Sequence, residues 1–458
     1  MYSGFDFGTS NCALGVFDNL SQVQLVPLEQ KNSFIPSTLY SYERELICEF
    51  VAKRITEANP KQNYLDLRKS QVRQALRVRK DHDIREDEQS LFFGHEAFEQ
   101  YIDLPSEGYF IKSPKSFLGA SGLRNEFVQF FEDIVTAMMQ NIKHRAEQHL
   151  KQEITQTVIG RPVNFQGLNA EKSNQQAIQI LETSAKRAGF KNIEFLYEPI
   201  AAGLDFESDL QRNTKVLVVD IGGGTTDCAM VMMGPDYRNK NERKDDFLGH
   251  TGERVGGNDL DIQLAGRELM PVFGMMSQLK NGLPMPTQLF WDAVSTNDAG
   301  AQSNYNHPET ERALRQLMLD TTEPKLLQRF IELRHKKQNY QIVRIAESTK
   351  IALSDTVQYT VKFDDLSPSL SQVEHIVSRE KLTEAIERPL SKMIELMKEA
   401  VAQSGTKPEL VYVTGGSAKS VILKEAIRST FGEIETVDGD HFGSVASGLT
   451  IWANKIFL

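Results

Sequence analysis

At 458 residues the chain is too long for one ordinary hydrophobic core and accommodates two lobes of about 200 residues each. Its 40% hydrophobic and 25% charged residues are the balance of a soluble globular protein, and a net charge of −10 argues against a general nucleic-acid binder. No basic leader with a long apolar run opens the chain, no stretch approaches eighteen uninterrupted apolar residues, and the cysteines Cys12, Cys48 and Cys228 are odd in number and widely spaced. A signal peptide, a membrane span and a cysteine metal site are therefore not expected, and reduced thiols in a cytoplasm are.

Residues 1 to about 40 read as strands. Gly4 to Asn11 runs apolar residue, Asp6, spacer, Gly8, Thr9, Ser10, and an apolar run from Ala13 to Phe17 follows. Residues 41 to about 112 are more polar and predict a small subdomain inserted into lobe one. Within it Lys69, Arg73, Arg77 and Lys80 fall on one helix face, as a solvated surface or a docking site for an acidic partner. Lys112 and Lys115 flank a proline turn at Pro114. A lysine held near a γ-phosphate would stabilise charge in phosphoryl transfer, but alone either lysine also reads as surface. Glu126 to His149 carries Phe127, Phe130, Phe131, Ile134, Met138 and Ile142 at helical spacing, which predicts a core helix without chemistry. Thr157 to Pro162 is a strand ending in a proline turn, Ala170 to Gly189 a helix stopped by its glycine, and Glu194 to Leu196 a short strand. Glu198 precedes Pro199 at the start of the next helix, where its carboxylate either orients a water or caps the helix.

Val216 to Met233 reads VLVVDIGGGTTDCAMVMM: two apolar runs joined by a glycine turn, hence a hairpin. Gly222, Gly223 and Gly224 leave the backbone N–H groups open to an anion. Asp220 and Asp227 repel a phosphate directly but can hold a hydrated Mg²⁺ that the phosphate shares. An ordinary glycine-rich hairpin is the alternative. The turn repeats the layout of Gly4 to Asn11, and two copies over two hundred residues apart predict two similar lobes that clamp phosphates between hairpins.

Taken together, these stretches resemble the ATPase domain of DnaK-type heat-shock chaperones, in the actin and hexokinase superfamily, and most closely its short bacterial YegD-type members. Gly4 to Asn11 and Asp220 to Asp227 look like the two phosphate motifs. Lys115 to Gly119 is similar to the family's Lys-Arg-Leu-Ile-Gly, and Glu198 to Ala202 to its Glu-Pro-Thr-Ala-Ala. Gly256-Gly257-Asn258-Asp259-Leu260-Asp261 is similar to Gly-Gly-Glu-Asp-Phe-Asp. Glu347 to Ser354 and Val413 to Lys419 resemble the two adenosine motifs. The landmarks run in family order over nearly the whole chain.

The resemblance implies an α/β, two-lobed actin-like ATPase fold, each lobe a mixed five-stranded sheet with helices and a smaller inserted subdomain. Lobe I is expected at 1–212 and lobe II at 213–458, with its insertion at about 256–370. It implies ATP or ADP with Mg²⁺ as cofactors. Asp6 and Asp220 would hold the metal through water. Gly8, Thr9, Ser10 and Asn11, with Gly222, Gly223, Gly224 and Thr225, would bind the β- and γ-phosphates. Lys115, Glu198, Asp220, Thr225 and Asp227 form the implied catalytic set. Gly256, Gly257, Glu347, Lys350, Ser354, Gly415, Gly416, Ser417 and Lys419 would surround the adenosine, and Pro162 matches the proline that relays nucleotide state. Ile351 and Lys419 stand where the family has the two arginines that sandwich the adenine, and a lysine stacks less well. Ser444 to Leu458 resembles the family's closing helix, and a protein without the family's linker and peptide-gripping β-sandwich is expected. The expected function is a slow Mg-ATPase whose lobes switch with nucleotide state, read by a protein partner or co-chaperone on an ATPase-lobe surface. A monomer in the cytoplasm is expected. A non-hydrolysing nucleotide-binding scaffold, or a small-molecule kinase of the same superfamily, is the alternative.

Overall fold

A computed structural model describes all residues except 19–21, 105–106, 121, 166–169, 239, 241–242, 364–365, 367–369, 371–372 and 440–442. It divides into two compact units. The first comprises Met1–Arg254, Glu395–Ala418 and Phe431–Leu458; the second comprises Val255–Ile394 and Lys419–Thr430.

The first unit begins with the hairpin β1 (Tyr2–Phe7) and β2 (Asn11–Phe17), which pairs Phe7 with Cys12 across its turn. β3 (Val23–Leu25) adds to the outer side of β2, and the two-residue β4 (Ile35–Pro36) also pairs with β2. The chain then leaves this sheet. β5 (Thr38–Ser41) lies between β6 (Leu91–Phe93) and β7 (Tyr109–Lys112) in a small antiparallel sheet, with helices Arg44–Arg54, Ala58–Leu67 and Lys69–Asp81 in between. The Asn125–Leu150 helix brings the chain back. β8 (Gln156–Arg161) runs parallel to β1, and β9 (Asn192–Tyr197) runs parallel to β8 across the Ala170–Arg187 helix. Parallel neighbours need such a crossover. The order is β3-β2-β1-β8-β9 with β4 on β2. That is six strands where five were expected, because a two-residue strand shows no alternation to read.

The second sheet repeats the plan. β10 (Thr214–Ile221) and β11 (Thr226–Met233) form the glycine hairpin, with Asp220 opposite Asp227, and β12 (Phe247–Glu253) extends β11. In the second unit, β13 (Gln358–Val361) and β14 (His375–Ser378) form a two-stranded ribbon. β15 (Leu410–Thr414) then runs parallel to β10, and β16 (Glu435–Asp438) parallel to β15. The order β12-β11-β10-β15-β16 is that of the first sheet, hairpin first and parallel strands after. Asp6 and Asp220 thus occupy equivalent places, each near the end of the central strand of its sheet.

Two cores hold the first unit. Phe5, Phe7, Leu14, Val16, Ile159 and Leu181 belong to one; Val158, Ala201, Val216, Val218, Val231 and Leu449 belong to the other. Each such Val, Leu, Ile or Phe side chain stabilises the fold by about 1.5–3 kcal/mol. The helices Glu198–Glu207 and Ser444–Phe457 close the second core. Their approach requires glycine. A Cβ on Gly448 would lie 1.7 Å from the Ala201 carbonyl oxygen, and one on Gly4 would lie 2.2 Å from the Thr450 nitrogen.

The Asn125–Leu150 helix does more than pack. Its Asp133 accepts from Arg68 Nε at 2.8 Å, from Tyr64 OH at 3.0 Å and from Cys48 Sγ at 3.3 Å. Arg68, wholly buried, also reaches Glu132 at 3.1 Å, and Arg187 meets Glu132 at 2.9 Å. Core packing was expected of this helix, and the charge it buries was not.

The second unit is largely helical. It contains Gly257–Leu264, Gln288–Val294, Ala299–Asn306, Pro308–Asp320, Pro324–His335 and Asn339–Asp355, with residues 379–394 of the Arg379–Ser404 helix. Among the described residues no helix is long and apolar enough to cross a membrane.

Candidate phosphate-binding site

The first unit gathers the residues expected around a phosphate. Lys115 sits in the 3-10 turn Pro114–Phe117, anchored by Ser113, whose N–H donates to Ser37 O at 2.8 Å. Lys115 Nζ pairs with Glu198 Oε1, and both side chains are buried. Glu198 opens the helix Glu198–Glu207 beside Pro199. It is an ion-pair partner rather than a helix cap. Gly160 makes room for it, since a Cβ there would lie 3.3 Å from Glu198 Cγ.

Asp227 on β11 faces inward. Its Oδ1 accepts from the Val163 N–H at 2.6 Å, while Oδ2 is buried without a hydrogen-bond partner. Burial, then the Glu198 charge, pushes its carboxyl up to about 8. Asp6 is pushed up to about 7 by burial, against the pull of Lys115. Asp220 is raised well above the usual carboxylate range by burial, with Glu198, Asp227 and Asp6 adding to it. Lys115 is held above its ordinary range: burial works against its charge, and the Glu198 and Asp6 carboxylates outweigh that. Four carboxylates thus share one lysine where desolvation penalises every charge.

Two turns meet beside them. A Cβ on Gly223 would fall 1.9 Å from Ser10 Oγ, and one on Gly224 would fall 2.7 Å from Thr9 Cγ2 and 3.0 Å from Ser116 Oγ. The Gly222 N–H closes the second turn onto Thr225 O at 3.0 Å. In the first turn a Cβ on Gly8 would strike Asn11 O at 2.2 Å. Gly415, with φ +86°, follows β15, and its Cβ would lie 2.9 Å from Asp220 Oδ1. Only glycine fits these places, and each bares backbone. Gly416 is exposed and Ser417 buried beyond it.

Ser37 and Ser116 were not expected here. Ser37 Oγ donates to Gly8 O at 2.6 Å, and its N–H donates to Ser10 O at 2.8 Å, so it shapes the first turn from below. A hydroxyl directly after Pro36 is a turn signal that could have marked it.

The remaining expected residues lie in the second unit. Gly256 caps the helix Gly257–Leu264, with Asp259 Oδ2 accepting from its N–H at 2.8 Å. Glu347, Lys350 and Ser354 share one face of Asn339–Asp355 by helical spacing. Lys350 Nζ is 2.7 Å from Asp261 Oδ1 and donates to Gly257 O at 3.3 Å. Ile351, on the same helix, is 59% exposed, and Lys419 is exposed.

The family model described as Hsp70 protein matches residues 116–265 and 321–455, more than half of the chain. The chaperone protein dnaK of Cyanidioschyzon merolae is 24% identical over 268 residues, and that of Trieres chinensis 25% over 262. These alignments take in 57% and 56% of this chain but only 37% and 36% of the relatives. Two sheets on one plan, each with an aspartate near the end of its central strand, and a family match that reaches strands of both show that the chain belongs to the Hsp70 family and has its actin-like ATPase fold.

Proposed function

We propose that the chain binds Mg·ATP, hydrolyses it slowly, and presents its nucleotide state to a protein partner or co-chaperone. One observation carries this: the buried Glu198, Asp220 and Asp227 and the half-buried Asp6 share a single lysine, beside two glycine turns that touch through Ser10 and Gly223 and through Thr9 and Gly224. Such a cluster lacks positive charge, and the turns offer a cradle for an anion. A hydrated metal with a polyphosphate supplies both. Asp6 and Asp220 would hold the ion through water. When bound, Mg²⁺ neutralises charge on the β- and γ-phosphates.

In this reading Thr9, Ser10, Gly222, Gly223, Gly224 and Thr225 hold the phosphates. Lys115 faces the γ-phosphate, and Glu198 and Asp227 orient the attacking water. Positioning and charge supply most of the rate. Glu347, Lys350 and Ser354, with Gly256, Gly257, Gly415, Gly416, Ser417 and Lys419, hold the adenosine. The lobes are 1–212 and 213–458, each carrying one large sheet, and their switch is what the partner reads. A monomeric, cytoplasmic protein is part of the same proposal.

A non-hydrolysing scaffold is the second reading. It is favoured by Ile351, exposed on the helix face that carries Glu347 and Ser354, where the resemblance calls for arginine. Single-turnover hydrolysis of ATP with Mg²⁺ separates the two. Slow turnover abolished by Lys115→Ala supports the ATPase; ATP bound but left intact in both proteins supports the scaffold.

A further inference from the structure

The 3-10 turn that carries Lys115 carries a second buried group, and nothing in the proposed chemistry has used it. Ser116 is 8% exposed, and its Oγ has no hydrogen-bond partner. A buried hydroxyl without a partner costs about 1–3 kcal/mol, so proteins rarely retain one without a use. This one is aimed at the junction of the two glycine turns. It lies 3.0 Å from the place a Gly224 Cβ would take, and Thr9 Oγ1 lies 3.1 Å from that same point. Two hydroxyls therefore flank the bare backbone of Gly224. Lys115, next in the chain, points to Glu198, so Ser116 stands on the Lys115 side of the junction. The segment that Lys115 to Gly119 resembles has arginine here, so this chain offers a neutral donor where a cation would stand.

We infer that Ser116 Oγ–H donates to the terminal phosphate of a nucleoside triphosphate, closing the cradle opposite Thr9 and reading the presence of that phosphate. The inference rests on the nucleotide-binding reading above. A diphosphate held in the same turns, one phosphate short of Lys115, would not reach this hydroxyl. The apo protein carries the hydroxyl's desolvation cost, and the triphosphate relieves it.

The test uses the full chain with Mg²⁺ and measures melting temperature and affinity for ATP and for ADP, in wild type, Ser116→Ala, Ser116→Thr and Ser113→Ala. Ser113 is also buried, at 4% exposed, with an equally unpartnered hydroxyl, but no contact places it at Gly224. The expected result has two parts. Ser116→Ala weakens ATP by about tenfold or more, as a lost hydrogen bond to a charged group does, and leaves ADP within about twofold. Its nucleotide-free melting temperature is equal to or above that of wild type, because an unsatisfied group has been removed. Ser116→Thr restores the preference for ATP, and Ser113→Ala leaves it unchanged. Equal loss for ATP and ADP, no loss for either, or a lower nucleotide-free melting temperature overturns the assignment. Failure of the wild type to bind either nucleotide overturns the nucleotide reading itself, and this inference with it.

Discussion

Around Asp133, two guanidiniums, of Arg68 and Arg187, meet two carboxylates, of Asp133 and Glu132, and Tyr64 and Cys48 add their protons. Around Asp220, four carboxylates share Lys115. Both clusters lie largely buried in the same unit. In the first, charge is matched and the Asp133 oxygens are taken up by donors, although Arg68 Nη1 is buried without a hydrogen-bond partner. In the second, Asp6 and Asp227 are pushed up to about 7 and 8, and Asp227 Oδ2 and Ser116 Oγ are left over. Burial alone therefore does not mark a working site. The imbalance of charge is what separates the two clusters, and it is the ground on which a bound cation is proposed for the second.

That contrast can be broken at either end. The largest effect is expected from Arg68→Met, which strands Asp133 and Glu132 in the interior. Loss of one partner of a buried pair costs about 3–5 kcal/mol, readable as a lowered urea midpoint. Gly224→Ala attacks the other cluster. Its Cβ would press on Thr9 Cγ2 and Ser116 Oγ, so ATP binding measured by calorimetry should weaken at least about tenfold, or ~1.4 kcal/mol. The urea midpoint should stay near wild type.

Asp227→Asn should act with the opposite sign to Arg68→Met, stabilising the nucleotide-free protein by about 1–2 kcal/mol at pH 8. The carboxyl titrates near 8 in the fold and near 4 when unfolded, so the folded state binds more protons between those values. Stability from this group is full below about pH 4 and declines as pH rises towards 8. The Asn variant should flatten that decline, while keeping the Val163 bond through its carbonyl oxygen. Melting temperatures at pH 6 and pH 8 check both statements. The smallest effect concerns thiols. Burial pushes Cys12 up to about 12 and also raises Cys48 and Cys228 well above the usual thiol range, so iodoacetamide at pH 8 should label none of the three until urea is added.

The two clusters also differ in how far they could be read from the amino-acid sequence. Asp220 follows the apolar run Val216 to Val219 and Asp6 follows Phe5, and each precedes glycine and hydroxyl, a local pattern that survives without any knowledge of the fold. Lys115 and Glu198 were harder, since each alone reads as surface or cap, and only their ion pair gives them a role. The matched cluster left no local trace. Cys48, Tyr64, Asp133 and Arg187 come from four helices and Arg68 from the junction of two, and nothing in the pattern of Glu126 to His149 distinguishes Asp133 from a solvated acid. Lys69, Arg73, Arg77 and Lys80 were conspicuous as a stripe and are exposed, whereas the neighbouring Arg79 turns inward to Glu49 at 2.7 Å. Charge periodicity shows which face a helix gives to water, not which single residue a distant helix will claim.

The Ser444–Phe457 helix lies against β1, and Tyr2 OH donates to Asn454 Oδ1 across 452 positions of sequence. A fold closed by so distant a pair must search a large loop before its first sheet gains a lid. During synthesis the β1–β2 hairpin waits with that face bare until residues 444–457 have left the ribosome. Its refolding should accordingly be slow and vulnerable to aggregation, so a protein built on a chaperone's plan would itself need shelter while it is being made.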